Sequence, residues 1–259
     1  MRRLSARLFT RLSIVFLTCA LGASSLGCGD GGGPTEQPIP GHRLLFVGNS
    51  LTYANDLPGL VRALAAAAAL PALEAETVAF PSFNLDDHRA RGDAGRAIAR
   101  GGWTLVVLQQ GPSSLEENRA QLREAVGRFD ADVRPTGART ALYMVWPALE
   151  NAATFDRAVE SYRRAAEDVH GVLFPVGEAF RAARARDPQA PLYEGDGFHP
   201  TPAGSYLAAL VIVGRLYERT PVGLPRQIGV GSAALTIPPA LAATLQAAAA
   251  EALARFPNP

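Results

Sequence analysis

Hydrophobic residues gather in short continuous runs along the chain, and stretches with the spacing of helices lie between these runs. Five apolar runs predict strands that are buried on both faces, at residues 43–48, 73–80, 103–109, 139–146 and 171–176. Helical patterns occupy residues 57–70, 93–100, 115–133, 152–169, 177–186, 202–217 and 238–256. Because alternating strands and helices join through right-handed crossovers, the pattern predicts an α/β fold, a three-layer α/β/α sandwich around a parallel sheet.

The first 28 residues have the pattern of an export signal. Arginines come first, and an apolar run of ten residues follows at 12–21, whereas a membrane-spanning helix needs roughly 20 residues. Small residues precede Cys28, and residues 28–41 are rich in Gly and Pro, which resembles the lipobox and tether of a bacterial lipoprotein. We therefore predict a signal peptide at 1–27, a lipid anchor on Cys28 and a tether at 28–41. Cleavage by an ordinary signal peptidase is the alternative.

This N-terminus predicts an exported protein, held in the periplasm or cell envelope if it is a lipoprotein and otherwise secreted. Gly29 rather than an aspartate follows the cysteine, which in a Gram-negative cell favours the outer membrane. The lipid anchor is then the only expected contact with a membrane. Residues 42–259 are predicted to form one domain, with the alanine-rich helix at its C-terminal end. The sequence leaves the oligomeric state open.

The composition excludes several kinds of catalyst. All 25 basic residues are arginine, and the lack of lysine excludes Schiff-base chemistry, pyridoxal phosphate and a Ser–Lys nucleophile pair. Both cysteines, Cys19 and Cys28, precede the domain, which excludes a cysteine nucleophile and a thiolate metal site within it. Without the signal peptide, 21 arginines stand against 24 acidic residues, so no basic surface for nucleic acid is expected.

Two short motifs carry candidate chemistry. Gly48, Asn49 and Ser50 directly follow the first predicted strand, in a tight turn that could present the serine hydroxyl; alternatively, Ser50 only caps the next helix. Asp196 and His199 stand three apart in a glycine-containing loop before a helix. This spacing lets the carboxylate bind one imidazole nitrogen and leaves the other free to face a serine, the arrangement that acyl-transfer enzymes use.

Together these motifs resemble those of the SGNH (GDSL-like) hydrolase superfamily, in which a Gly-Asp/Asn-Ser block supplies the nucleophile and a DxxH block supplies the acid and base. The resemblance runs from about residue 43 to 224. It implies a flavodoxin-like five-stranded sheet of order 2-1-3-4-5 and esterase, lipase or carbohydrate deacetylase activity without a metal or organic cofactor. It also implies that Ser50 is the nucleophile, His199 the general base and Asp196 the residue that orients His199.

The expected oxyanion hole departs from that family. There, the donors are the N–H of the nucleophile, a glycine N–H after the second strand and an asparagine side chain after the third. Here residues 80–85 contain no glycine, and Ser82 takes its place. Gln110 and Gly111 resemble the Gln-Gly block of the sialate O-acetylesterase-like branch, so we assign the hole to Ser50, Ser82 and Gln110.

Two neighbours of Gln110 are alternative candidates for the same role. Ser113 aligns with the family's asparagine, but its side chain is short for the task. Gln109 is expected to point to the opposite face of the strand and to serve stability, while Gly111 is expected to let the chain turn over Ser50.

Five further residues carry weaker signals, namely an asparagine and a tryptophan near the expected cleft and three histidines outside the DxxH motif. Asn84 and Trp146 are predicted to contact substrate; for Trp146 a half-buried place in the core is the alternative. His88 lies in an acidic stretch and is expected in a solvated loop rather than in a metal site. His42 and His170 are expected to be structural.

The sequence thus predicts a serine hydrolase that cleaves carboxylic esters, acting on a small ester or an acylated carbohydrate. The alternative is a catalytically inactive carbohydrate-binding or scaffold protein on the same fold. Hydrolysis of a short aryl acetate separates the two. The acyl length and the alcohol of the substrate are left open by the sequence.

Overall fold

A five-stranded parallel sheet forms the centre of the computed structural model, which describes residues 41–231 and 233–257. The strands are β1 (His42–Gly48), β2 (Leu73–Ala79), β3 (Leu105–Leu108), β4 (Arg139–Tyr143) and β5 (Val172–Phe174). Their order is β2-β1-β3-β4-β5, and each neighbouring pair is parallel. The predicted fold class and strand order are confirmed.

Nine α-helices cover the sheet within the described residues. They are α1 (Ser50–Tyr53), α2 (Leu57–Ala67), α3 (Leu85–Arg91), α4 (Asp93–Ala99), α5 (Glu116–Val133), α6 (Phe155–Asp168), α7 (Val176–Arg186), α8 (Pro202–Leu216) and α9 (Pro239–Arg255). Helix α8 contacts α2, α7 and α9, and α7 also contacts α9; α3 to α6 form a second contacting group. These two groups are the outer layers of the sandwich.

The core follows directly from the apolar runs. The strand residues of β1 from Leu44 to Val47 and all of β3 are buried. Helix α8 is buried from Ala203 to Gly214, because α2, α7 and α9 all pack against it. An all-round apolar helix of this kind belongs in a protein interior.

Three elements were not predicted: α1, α3 and an antiparallel hairpin of β6 (Gln227–Val230) and β7 (Ala233–Thr236). The hairpin is short, and β6 packs against α2. The predicted third and fourth strands also extended too far, because the chain leaves the sheet at Leu108 and Tyr143.

The predicted signal peptide at 1–27, the tether at 28–41 except for Gly41, and the lipidation site Cys28 lie outside the described residues. No helix between 41 and 257, position 232 aside, is both long and apolar enough to span a bilayer.

Candidate active site

Ser50 stands at the carboxyl end of β1, as the first residue of α1. The residue that caps α1 is Asn49, whose Oδ1 accepts a hydrogen bond from Leu51 N at 3.1 Å. Ser50 therefore does not serve as the helix cap, and its hydroxyl is available for chemistry. Gly48 is required before this turn, since a Cβ there would lie 2.3 Å from Thr52 Oγ1.

His199 and Asp196 complete a chain of hydrogen bonds that starts at Ser50. His199 Nε2 lies 2.9 Å from Ser50 Oγ, and His199 Nδ1 lies 2.5 Å from Asp196 Oδ2. Because a carboxylate can only accept, Nδ1 carries the proton and Nε2 is left as the acceptor that faces the serine. The structure thus brings together the three residues that the two motifs predicted.

The second oxygen of Asp196 is bound by the backbone of its own loop. Oδ1 accepts from Phe198 N and from His199 N, each at 2.9 Å. The hydrogen bond from His199, supported by these two N–H groups, lowers the pKa of Asp196 to about 2. Asp196 is therefore ionised at any ordinary working pH, as a residue that stabilises an imidazolium must be.

The loop that carries His199 is fixed from three sides. Thr201 caps α8 by accepting from Gly204 N at 3.1 Å, and Trp146 Nε1 donates to Phe198 O at 2.9 Å. Asn55, in the left-handed conformation with φ 53°, donates from Nδ2 to Pro200 O at 2.8 Å. Asn55 follows α1, so this bond joins the serine side of the site to the histidine side. Sequence reasoning gave Asn55 no role.

Ser82 has the backbone conformation that glycine usually supplies. Its φ is 60°, in the left-handed region that glycine adopts without steric cost. Ser82 lines one cavity with Ser50 and His199, and no described residue accepts a hydrogen bond from its N–H. That N–H is therefore free to bind an oxyanion.

Gln110 lines the same cavity from the end of β3. Its Oε1 accepts from Leu85 N at 3.1 Å, and its Nε2 donates to Ser113 Oγ at 2.9 Å. Since an amide nitrogen carries two protons and no second acceptor lies among the described residues, one N–H remains for a ligand. Ser113 orients this amide.

The chain bends at Gly111, as the sequence predicted. Gly111 makes this bend without a positive φ, and the left-handed residue of the segment is Ser113, with φ 55°.

Trp146 does not have its predicted substrate contact. It is fully buried and stacked on Phe180, with ring centroids 3.6 Å apart, so it belongs to the core and acts on the site only through Phe198 O. Asn84 does line the catalytic cavity, and its Oδ1 caps α3 by accepting from Asp87 N at 3.0 Å.

The expectation for His88 was also wrong. It lies on α3, fully buried, with Nε2 at 2.8 Å from Gly48 O, so the acidic stretch is a helix and not a solvated loop. A carbonyl only accepts, hence Nε2 carries the proton, and burial lowers the pKa of His88. In the described part of the chain no three His, Cys, Asp or Glu residues stand together in a way that could hold a metal ion.

Gln109 was expected to point away from the site and to serve stability, and it is indeed absent from the cavity lining; what sequence reasoning missed is its set of bonds to the turn of Ser50. It is fully buried and binds the turn that carries Ser50, through Asn49 and Thr52. The sequence did carry a signal for these bonds, namely two consecutive glutamines at the end of a strand. Consecutive strand residues point to opposite faces of a sheet that is covered on both sides, so a carboxamide is buried there and needs hydrogen-bond partners.

Comparison with solved structures places this fold among hydrolases. A candidate SGNH hydrolase from Slackia heliotrinireducens is 28% identical with a TM-score of 0.59, over 68% of this chain and 100% of that one. A DUF4886 family protein from Bacteroides uniformis is 18% identical with a TM-score of 0.69, over 83% and 95%.

A point mutant of an acetyl-xylooligosaccharide esterase from Geobacillus is 14% identical with a TM-score of 0.53, over 73% of this chain and 98% of that one. No protein-family model matches the chain, and no curated protein matches it in sequence. The structural neighbours support a hydrolase fold of the SGNH kind.

Proposed function

We propose that this protein is a serine hydrolase that cleaves carboxylic esters through an acyl-serine intermediate. The observation that carries the proposal is the continuous chain of hydrogen bonds from Ser50 Oγ through the His199 ring to Asp196, at 2.9 and 2.5 Å. Nucleophile, base and orienting carboxylate in this geometry are the parts that acyl transfer requires. The structural neighbours support the same class of reaction.

The reaction has two halves. Ser50 Oγ attacks the acyl carbon while His199 Nε2 takes the hydroxyl proton, and the carbonyl oxygen becomes an oxyanion near the N–H groups of Ser50 and Ser82 and the Gln110 amide. His199 then gives the proton to the departing alcohol. In the second half His199 takes a proton from water, which attacks the acyl-serine and releases the acid, and Ser50 regains its proton.

The charge of the cleft favours an uncharged substrate. The catalytic cavity, about 580 Å³, adjoins a second of about 400 Å³ between the segments around 112–118 and 147–154, and Phe198 and Asn118 line both. Within the described residues, no arginine, aspartate or glutamate lines either cavity. An anionic ester would lose its hydration there without gaining a cationic partner.

The polar groups that do line the two cavities suit hydroxyl groups. Asn84, Asn118, Gln121 and Asn151 carry carboxamides, which both donate and accept, and Phe198 offers an apolar face. This combination supports an acylated neutral carbohydrate as the substrate. The Geobacillus neighbour is named for acetylated xylooligosaccharides, which is consistent with that class.

The test of the reaction class is hydrolysis of 4-nitrophenyl acetate by the wild type and by Ser50→Ala and His199→Ala. We expect each variant to lose several orders of magnitude in kcat/KM, because triad members act as one unit. An inactive wild type would favour the alternative, a binding or scaffold protein. Wild-type activity in Ser50→Ala would exclude Ser50 as the nucleophile.

The test of the substrate class compares acetylated xylooligosaccharides with acetylated acidic oligosaccharides of the same length. We expect a higher kcat/KM for the neutral series and little dependence on ionic strength. Preference for the acidic series would contradict a neutral substrate and leave the ester hydrolase assignment intact.

A further inference from the structure

The carboxamide of Gln109 lies directly beneath the turn that presents Ser50. Its Oε1 accepts two hydrogen bonds, from Asn49 N at 2.9 Å and from Thr52 Oγ1 at 2.7 Å. The absence of a side chain at Gly48 makes room for it, since a Cβ there would stand 2.4 Å from Gln109 Oε1. The amide oxygen is thus bound on both sides of Ser50, one residue before it and two residues after it.

The nitrogen of the same carboxamide donates two further hydrogen bonds. Nε2 donates to Asn49 Oδ1 at 2.9 Å and to Gln110 O at 2.7 Å. Both lone pairs and both protons of the group are therefore used, which is the full capacity of a carboxamide. One side chain joins the nucleophile turn after β1 to the backbone of the residue whose amide is the proposed oxyanion donor.

We infer that Gln109 is a positioning residue that holds Ser50 and Gln110 in the relative placement that catalysis needs; this inference rests on the proposed ester hydrolase function. Gln109 is fully buried and does not line the catalytic cavity, so it acts through its neighbours and not on the substrate. A shift of about 1 Å between reacting groups can cost about 10²-fold in rate, so the loss of a clamp between nucleophile and oxyanion donor should appear in kcat.

A second buried glutamine provides a matched control. Gln246 lies on α9 and makes three hydrogen bonds, with Gly223 N at 2.9 Å, Leu224 O at 2.8 Å and Tyr206 Oη at 3.2 Å. None of these residues lines the catalytic cavity. Replacing either glutamine by methionine keeps the size of the side chain and removes a buried amide. Only Gln109, however, binds residues that line the catalytic cavity, Asn49 and Gln110.

The experiment measures melting temperature, kcat and KM for wild type, Gln109→Met and Gln246→Met on 4-nitrophenyl acetate, well below the melting temperatures. We expect both variants to melt earlier. Gln109→Met should lose about 10- to 100-fold in kcat, the effect expected when reacting groups shift by up to about 1 Å, while KM stays within about threefold of wild type. Gln246→Met should keep kcat within about twofold of wild type.

Thr52 gives a milder test that does not depend on Gln109→Met folding. Thr52→Val removes the hydroxyl that binds Gln109 Oε1, and Thr52→Ser keeps it. We expect Thr52→Val to lower kcat by several-fold and Thr52→Ser to restore most of it. The pH profile should be unchanged in both, because neither variant touches Asp196 or His199.

Equal kcat in Gln109→Met and Gln246→Met, or no difference between Thr52→Val and Thr52→Ser, would overturn the inference and leave a purely structural role for Gln109. In that outcome the ester hydrolase still stands, as long as Ser50→Ala is inactive and the wild type is active. A wild type without esterase activity would remove the proposed function, and the positioning role with it.

Discussion

Two serines in the left-handed region belong to the proposed oxyanion hole, one as a backbone donor and one as the partner of a side-chain donor. Ser82 has φ 60° and offers its N–H, whereas Ser113 has φ 55° and accepts from Gln110 Nε2 through its side chain. A non-glycine residue in this conformation costs of order 1 kcal/mol. The same substitution at the two positions therefore separates backbone from side-chain function.

Ser82→Gly should keep kcat within a few-fold and raise the free energy of unfolding by about 1 kcal/mol, because it removes strain and keeps the N–H. Ser113→Gly relieves similar strain but frees the Gln110 amide, so we expect its kcat to fall. Denaturant unfolding and steady-state kinetics on both variants give the measurement. A large kcat loss in Ser82→Gly would mean that the Ser82 hydroxyl, and not its N–H, acts in the reaction.

Gln110 is the proposed side-chain donor to the oxyanion. Gln110→Ala should lower kcat by roughly 10²–10³, the usual cost of removing one such donor, with little change in KM. Gln121→Ala, measured on 4-nitrophenyl acetate, is the control: Gln121 lines the same cavity and binds Asp86 rather than any residue of the proposed oxyanion hole, and this substrate lacks the sugar hydroxyls that Gln121 is proposed to bind. If Gln110→Ala keeps the kcat of the wild type and of the control, the third donor lies elsewhere and the assignment of Gln110 is wrong.

At the scale of elements, the strands and most helices could be predicted because their apolar periodicity is strong. Helix α3 could not, since its sequence, Leu-Asp-Asp-His-Arg-Ala-Arg, has little apolar character. The capping box between Asn84 and Asp87 and the burial of His88 stabilise it instead. A histidine that takes the place of an apolar residue is invisible to a hydrophobic pattern.

Buried His88 makes the stability of the fold depend on pH. Burial lowers its pKa below 6.5 in the folded protein, so the folded state favours the neutral ring. Below about pH 6.5 the unfolded chain binds a proton on this ring, whereas the folded chain does not. The free energy of unfolding therefore falls as the pH is lowered from about 6.5 towards the pKa of His88 in the folded protein. His88→Gln removes this titration and should flatten the fall in melting temperature between pH 7.5 and 5.5.

His170→Asn is the matched control for His88→Gln, because His170 is exposed and its φ of 48° suits asparagine. Burial also lowers the pKa of His42, so some pH dependence should persist in His88→Gln. An identical slope in wild type and His88→Gln would contradict a linkage through His88.

At the scale of the whole molecule, the fold could be predicted from the sequence, and so could the proximity of Ser50, His199 and Asp196. Each of these three residues lies in a compact motif at a strand end or before a helix. The hydrogen bonds that support the site could not be predicted, since they join segments that are far apart in the sequence. Asn55 binds Pro200 and Gln109 binds Asn49, and no local pattern marks either pair. The predicted substrate contact of Trp146 was wrong because an aromatic residue at the end of a strand gives the same hydrophobic pattern whether it faces a cleft or the core.

The N-terminal segment carries a proposal of its own, that Cys28 bears a lipid anchor and the protein is exported to the cell envelope. Wild-type protein made with its full N-terminus should partition with membranes and show the mass of an acylated cysteine at its mature N-terminus. Cys28→Ser should be soluble or remain unprocessed. Soluble wild type with an unmodified mature N-terminus away from Cys28 would instead support ordinary signal-peptidase cleavage.

Covalent labelling tests most directly whether Ser50 is a nucleophile activated by His199. Wild type and Ser50→Ala are treated with a small uncharged phosphonate ester, and the site of modification is mapped by peptide mass spectrometry alongside the loss of 4-nitrophenyl acetate hydrolysis. We predict one phosphonyl group per chain, on Ser50, in step with the loss of activity, and no labelling of Ser50→Ala. Labelling at another residue, or an active enzyme with fully modified Ser50, would contradict this role of Ser50.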